Sequence, residues 1–187
     1  MVLAGLCASI DARAQAFEHG AAGGVPYIPT PQVVVDAMLE LAQVGPKDVV
    51  VDLGSGDGRL VLTAARKYGA RGRGVELDAN LVNYSNQLAR EWKLAGRVRF
   101  ERVDLFATPL RDATVVTLYL LPDLLAKLKP RLLAELRPGT RIVAHDWPLP
   151  DWAPVREIVI AVPDKSVGPR PESRIMLWVV PPRPTPG

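Results

Sequence analysis

Val49-Val50-Val51-Asp52-Leu53-Gly54-Ser55-Gly56-Asp57-Gly58-Arg59 is the stretch whose reading decides the fold of this chain. The β-branched apolar run reads as a strand buried on both faces. A carboxylate, Asp52, stands where that strand should end. Three glycines then alternate with Ser55 and Asp57, and Leu60-Val61-Leu62-Thr63-Ala64-Ala65-Arg66-Lys67 reads as a helix. Strand, tight glycine turn and helix together form the first half of a βαβ unit. Ligands of open α/β sheets bind outside the carboxyl ends of the strands, where such turns lie.

Outward from this stretch, the chain alternates strand and helix. Upstream, Val25-Pro26-Tyr27-Ile28-Pro29-Thr30-Pro31 holds three prolines within six residues, which enforces extended backbone. A helix is predicted from Pro31 to about Gln43, with Thr30 as N-cap and Gly45-Pro46 as its stop. Downstream, the helix after the glycine turn ends at Gly69. Arg73 to Asp78 reads as a second strand with Glu76 at its end. A helix over about Ala79 to Leu94 leads to a third strand, Arg97 to Val103, which Asp104 ends. Thr114 to Leu120 is the fourth strand. The Tyr119-Leu120-Leu121-Pro122-Asp123 segment then opens a helix that Pro130 is expected to kink. Arg141 to Asp146 is the fifth strand. Val155 to Val162 and Ser173 to Val180 have no helix between them and read as an antiparallel pair at the sheet edge. The fold class is therefore α/β: a mostly parallel sheet with helices on both faces and a C-terminal antiparallel hairpin. Residues 1–24 are expected to form an N-terminal segment, 25–180 one folded domain, and 181–187 a flexible Pro-rich tail.

Composition sets limits on function. The 187 residues are 48% hydrophobic and 23% charged, enough apolar material for one core. A net charge of +3 is no strong nucleic-acid signal. Arg66, Lys67, Arg71 and Arg73 form the densest basic cluster and read as a solvated helix end and loop. With Cys7 alone and only two histidines, an intrachain disulfide and a multi-His or multi-Cys metal centre are excluded. Val2 to Ile10 is too short to span a bilayer, so no transmembrane segment is read there. Ala14-Gln15-Ala16 fits the A-x-A pattern of a signal-peptide cleavage site. A cytoplasmic location is the expectation, with export as the alternative.

The turn also discriminates between cofactors. Dinucleotide turns follow G-x-G-x-x-G and need no acid before the first glycine. Here Gly54, Gly56 and Gly58 are more tightly spaced and follow Asp52. Like charges repel in a partly dehydrated site, so an acid beside the turn suits a pyrophosphate poorly. It suits a cofactor that carries an ammonium group and no phosphate, and S-adenosyl-L-methionine is such a molecule. Glu76 at the second strand end could then accept from both ribose hydroxyls. Asp104 at the third could accept from the adenine amino group.

These residues carry a family resemblance. The chain resembles class I S-adenosylmethionine-dependent methyltransferases. More narrowly, it resembles the small lysine methyltransferases acting on the ATP synthase c subunit and the adenine nucleotide translocase, with their bacterial relatives. The matching pieces are Tyr27-Ile28-Pro29-Thr30-Pro31, Asp52 to Arg59, Asp104-Leu105-Phe106, Tyr119-Leu120-Leu121-Pro122 and His145-Asp146-Trp147. The resemblance implies a seven-stranded Rossmann-like sheet with an antiparallel final strand. The cofactor-binding candidates are Asp52, Gly54, Ser55, Gly56, Gly58, Glu76 and Asp104. The acceptor-side candidates are Tyr119, Pro122, Tyr27 and Thr30, with Tyr27 to Thr30 as a lid. Asp123 reads as a proton acceptor or a helix N-cap, and His145 as a base or a buried rim histidine. The implied acceptor is a protein lysine. A small-metabolite methyltransferase and a non-catalytic cofactor- or nucleotide-binding module are the alternatives.

Overall fold

The computed structural model describes residues 27–165 and 171–183. The N-terminal segment 1–24 with its A-x-A site, the first two residues of the proline arm, Gly168-Pro169 and residues 184–187 lie outside them.

Helix α1 (Gln32–Leu41) precedes β1 (Val49–Leu53), α2 (Arg59–Tyr68), β2 (Arg71–Glu76), α3 (Ala79–Glu91) and β3 (Val98–Arg102). A 3₁₀ turn (Leu105–Ala107) leads to β4 (Val115–Leu118), α4 (Pro122–Glu135), β5 (Arg141–His145), β6 (Arg156–Ala161) and β7 (Glu172–Val179). The seven strands form one sheet in the order β3-β2-β1-β4-β5-β7-β6. The first five are parallel, and β7 runs antiparallel between β5 and β6. The strand order reverses at β1, between β2 and β4, which makes the end of β1 the topological switch point of the sheet.

Side-chain alternation along the strands divides the core. On one face Val50, Val115, Val143 and Ile175 pack against α1 and the Leu60 side of α2, while Val61, Val82, Val98 and Phe100 pack α2 and α3 over β3. On the other face Val51, Leu53, Val116, Leu118, Ile142 and Trp178 meet a single helix, α4, through Leu125, Leu128 and Leu132. The helix layers are therefore unequal, three against one.

Several local expectations are corrected. The N-cap of α1 is Pro31, with no side-chain cap bond, so Thr30 does not cap it. Leu121 is the N-cap of α4 and Pro122 its first residue, so Asp123 lies inside the helix and is no cap. β2 runs from Arg71 to Glu76, starting two residues before the expected Arg73, so Arg71 belongs to the strand and not to a loop. β4 stops at Leu118, which leaves Tyr119 and Leu120 in the turn after it.

Candidate active site

The cavity at the switch point is built from the ends of β1, β2, β3 and β4. β1 delivers Asp52, which is 3% exposed. The hydroxyl of Thr117, beside it on β4, donates to Asp52 Oδ1 at 2.5 Å. Burial pushes the Asp52 carboxyl up to about 7; Glu76 and Asp57 add to the rise, while the Thr117 bond opposes it. A carboxylate this dry needs a cationic partner to be fully charged at neutral pH.

The glycine turn is held down on β2. The N–H groups of Gly54 and Ser55 both donate to the Val75 carbonyl, at 3.0 and 2.9 Å. Gly56 has φ of 52°, and a Cβ there would lie 2.5 Å from Cε2 of Tyr27. The missing side chain is what lets the proline arm lie across the turn. Tyr27 is thereby placed over the cavity mouth, and its phenol pKa is raised by burial and then by Asp57.

Glu76 closes the second strand. Its Oε2 accepts from Gly56 N–H at 3.0 Å, and its Oε1 accepts from the N–H groups of Leu77 and Asp78 at 2.7 and 3.1 Å. The carboxylate thus ties the glycine turn to the β2 end and keeps spare acceptor capacity on Oε2. Asp78 caps α3 through Asn80 N–H at 2.7 Å. Asp104 starts the 3₁₀ turn, with Oδ1 accepting from Phe106 N–H at 2.8 Å.

Asp52, Gly54, Ser55, Gly56, Glu76 and Asp104 line one cavity together with Tyr27, Thr30 and Tyr119. Two candidates do not line it. Gly58, at φ of 79°, is needed for packing: a Cβ there would lie 2.6 Å from Phe100 and 2.9 Å from Ser85. Pro122 opens α4 and serves the helix start.

Sequence reasoning did not anticipate the buried pair that braces the turn. Asp57 and Arg59 are 1% and 4% exposed. Arg59 grips both carboxylate oxygens, with Nε at 3.0 Å from each and Nη2 at 2.6 Å from Oδ2. Its Nη1 donates to the Thr30 carbonyl at 2.8 Å. One guanidinium thus joins the glycine turn to the proline arm, which explains how a loop before α1 is held against a turn after β1. The only trace in the sequence was an Asp and an Arg two residues apart, a spacing too common to signal anything.

Behind Tyr119 lies a second polar group. The Tyr119 and His145 rings are 4.0 Å apart at centroid. His145 Nε2 is 2.9 Å from the Ser173 hydroxyl, and burial lowers the imidazole to about 4, so it is neutral at pH 7. His145 does not line the cavity. Asp146 sits at φ of 60° and pairs with Lys165 at 2.7 Å. Burial and then the Asp146 charge push the Tyr119 phenol up to about 12.

The residues fit the cofactor that the sequence pointed to. Ser55 Oγ is buried, lines the cavity and has no hydrogen-bond partner among the described residues, a group kept for a ligand. Acids stand at three adjacent strand ends, and the apolar walls of Leu77, Leu81, Val103 and Phe106 lie between them. This fold with this site defines an S-adenosylmethionine-dependent methyltransferase.

The chain belongs to the family described as the ANTKMT methyltransferase domain, whose model matches residues 52–156. It is 39% identical to a protein-lysine N-methyltransferase of Saccharolobus islandicus, over 72% of this chain and 84% of the relative. It is 40% identical to the mouse adenine nucleotide translocase lysine N-methyltransferase, over 70% of this chain and 57% of the relative, so it spans little more than half of that protein. A solved structure described as an RNA methyltransferase from Salinibacter ruber, in complex with S-adenosyl-L-homocysteine, shares 44% identity and a TM-score of 0.75, covering 84% of this chain and 97% of that one.

Proposed function

We propose that this chain transfers a methyl group to the side-chain amine of a protein lysine. The observation that carries the reading is the 39% and 40% identity to two relatives named as lysine N-methyltransferases, and the charge of the cavity wall fits the cofactor. Asp52, Asp57, Glu76, Asp78 and Asp104 line it, and Arg59, already bound to Asp57, is the one cation among the described lining residues. Asp52, Glu76 and Asp104 suit the ammonium, ribose and adenine of the cofactor, Asp57 is bound to Arg59 and Asp78 caps α3, so this charge speaks for the methyl donor. The apolar entry between Tyr27, Tyr119, Leu120 and Leu124 is what suits a desolvated amine. The lysine names of the archaeal and mouse relatives support the same reading. The S. ruber neighbour, described as acting on RNA, favours a second reading in which the acceptor is a nucleotide base.

S-adenosylmethionine would supply a methyl group on a sulfonium, whose sulfur leaves as the neutral thioether of S-adenosylhomocysteine. The protein's work is to bind, orient and desolvate. In this reading Asp52 and Ser55 hold the amino-acid end of the cofactor, Glu76 the ribose and Asp104 the adenine. Tyr27 to Thr30, anchored by Arg59, covers the acceptor side. Tyr119 borders the entry, and its high pKa keeps its hydroxyl protonated, so it takes no proton; its oxygen accepts from the amine N–H and leaves the nitrogen lone pair free to attack. A lysine must be neutral to attack. Entry between Tyr27, Tyr119, Leu120 and Leu124 strips water from its ammonium, which lowers its pKa.

The test is incubation of the protein with methyl-labelled cofactor and cell extract, followed by separate protease and ribonuclease digestion. Label released by protease and retained after ribonuclease supports lysine transfer. Label released only by ribonuclease overturns it in favour of RNA, and label confined to small molecules overturns both.

A further inference from the structure

The sheet carries a second feature, at the end opposite the cofactor cavity. β2 and β3 pair so that Arg73 lies directly opposite Arg99, and Gly72 opposite Val98. Side chains alternate along a strand, so Arg71, Arg73 and Arg99 project from the same face, and Arg97, just ahead of β3, joins them in lining it. That face carries α4 and the loops around Leu110 and Leu149 over its apolar part, while the start of β2 and β3 lines an open groove. The glycines between the arginines point the other way, toward the covered face, where a Cβ at Gly72 would meet Val61 and one at Gly74 would meet Ser55 and Phe100.

Neighbouring strands lie only about 4.8 Å apart, and like charges placed directly opposite on them are destabilising. Such a pair in register, with Arg71 and Arg97 beside it, is not explained by the stability of the sheet. The array is also part of a concave groove of about 630 Å³, whose lining adds Lys47, Arg137 and one acid, Asp112. Six cations face one carboxylate, while the whole chain carries only +3. The remainder of the chain is thus net negative, and the positive charge is concentrated here.

Part of the array is held in place. Arg97 donates to the Gly69 carbonyl at 3.1 Å, and Arg73 to the Pro109 carbonyl. Arg99 leans on Glu101 at 3.0 Å, and Arg137 lies 3.8 Å from Asp112. Each guanidinium has five N–H donors, so one anchoring contact leaves most of them for a ligand. Lys47 and Arg71 have no charged or hydrogen-bonding side-chain partner among the described residues.

We propose that this groove binds a compact polyanion with adjacent phosphate groups, of the inorganic or nucleoside triphosphate class, as a second site separate from the methyl-transfer cavity. Arginine outnumbers lysine five to one in the lining, and its planar fork matches phosphate oxygens bidentately. The groove is concave, which fits a small ligand better than a flat membrane. No aromatic ring lines it, so it lacks the stacking platform on which single-stranded nucleic acids are held. Strands of about five residues put it about 17 Å from the cavity, so its ligand is not the methyl acceptor.

The experiment is calorimetric titration of the full chain with inorganic triphosphate at fixed ionic strength, repeated with the variant K47Q/R71Q. Loss of a unit charge about 5 Å from a phosphate costs about fourfold in affinity even in water, so the double variant is expected to bind about tenfold more weakly. Its S-adenosylmethionine affinity and melting temperature should be unchanged, and R99Q should weaken triphosphate binding in the same direction. Absence of saturable binding, or equal binding by wild type and both variants, would overturn the proposal. So would single-stranded RNA that binds more tightly with length and is not displaced by triphosphate, which would make the groove a nucleic-acid surface instead.

Discussion

Asp52 offers a quantitative test of cofactor recognition. Its carboxyl is raised from the ordinary 3.8 to about 7 in the cofactor-free protein. If the cofactor ammonium pairs with the ionised form, apparent affinity scales with the ionised fraction. That fraction is about one half at pH 7 and about 3% at pH 5.5 for a pKa near 7. Affinity for S-adenosylmethionine should therefore fall about fifteenfold from pH 7 to pH 5.5. An α-amino group titrates above this window, at about 7.7 to 8.0, so the cofactor stays cationic throughout. Calorimetry at both pH values reads the change directly. Asp52→Asn should bind weakly at both and show no such slope. A wild-type profile flat across this interval would refute the pairing of Asp52 with the ammonium.

The same shift governs stability without cofactor. An acid whose folded pKa is raised contributes its full stability below about pH 4 and loses it as pH rises through 7. By pH 7 the loss is about 4 kcal/mol, at about 1.4 kcal/mol per unit, and urea denaturation of wild type against Asp52→Asn should show the variant escaping it. Arg59→Met strands the buried Asp57 charge and should cost about 3–5 kcal/mol, much of it recovered in the double variant with Asp57→Asn; chemical denaturation of the set decides. Gly56→Ala forces a side chain into Tyr27 at a left-handed φ and should weaken cofactor binding at least about tenfold, whereas Gly58→Ala should chiefly lower the melting temperature through its clash with Phe100. Tyr119→Phe keeps the ring against His145 and removes the hydroxyl, so kcat should fall while cofactor Kd holds; an unchanged kcat would remove the hydroxyl from the orientation of the acceptor.

Much of the architecture was legible because it rests on local patterns. The apolar run at Val49, the tight glycines and the acids at 52, 76 and 104 each announce a strand end, and the sheet brings them together as read. What escaped depends on residues distant in sequence. Gly56 N–H reaches the Glu76 carboxylate twenty positions on, and Arg59 reaches back to the Thr30 carbonyl. No periodicity encodes either bond. Gly58 looks like its neighbours in the motif, and only the position of Phe100 shows that it serves packing. Pro122 follows the fourth strand and so reads as an acceptor-side residue. The chain turns at Leu121 first, and the proline is spent on starting α4. Arg71 and Arg73 read as part of a solvated basic cluster because strand alternation across β2 and β3 shows only once the register is known.

The central claim, methyl transfer to lysine, is tested most directly by the chemistry of the product. Protein labelled with methyl-tritiated S-adenosylmethionine is hydrolysed to amino acids and separated by chromatography. The label should co-elute with methylated lysine, and vanish when Glu76→Ala replaces the wild type. Label in any other amino acid, or none in the protein hydrolysate while RNA or small molecules are labelled, would contradict it.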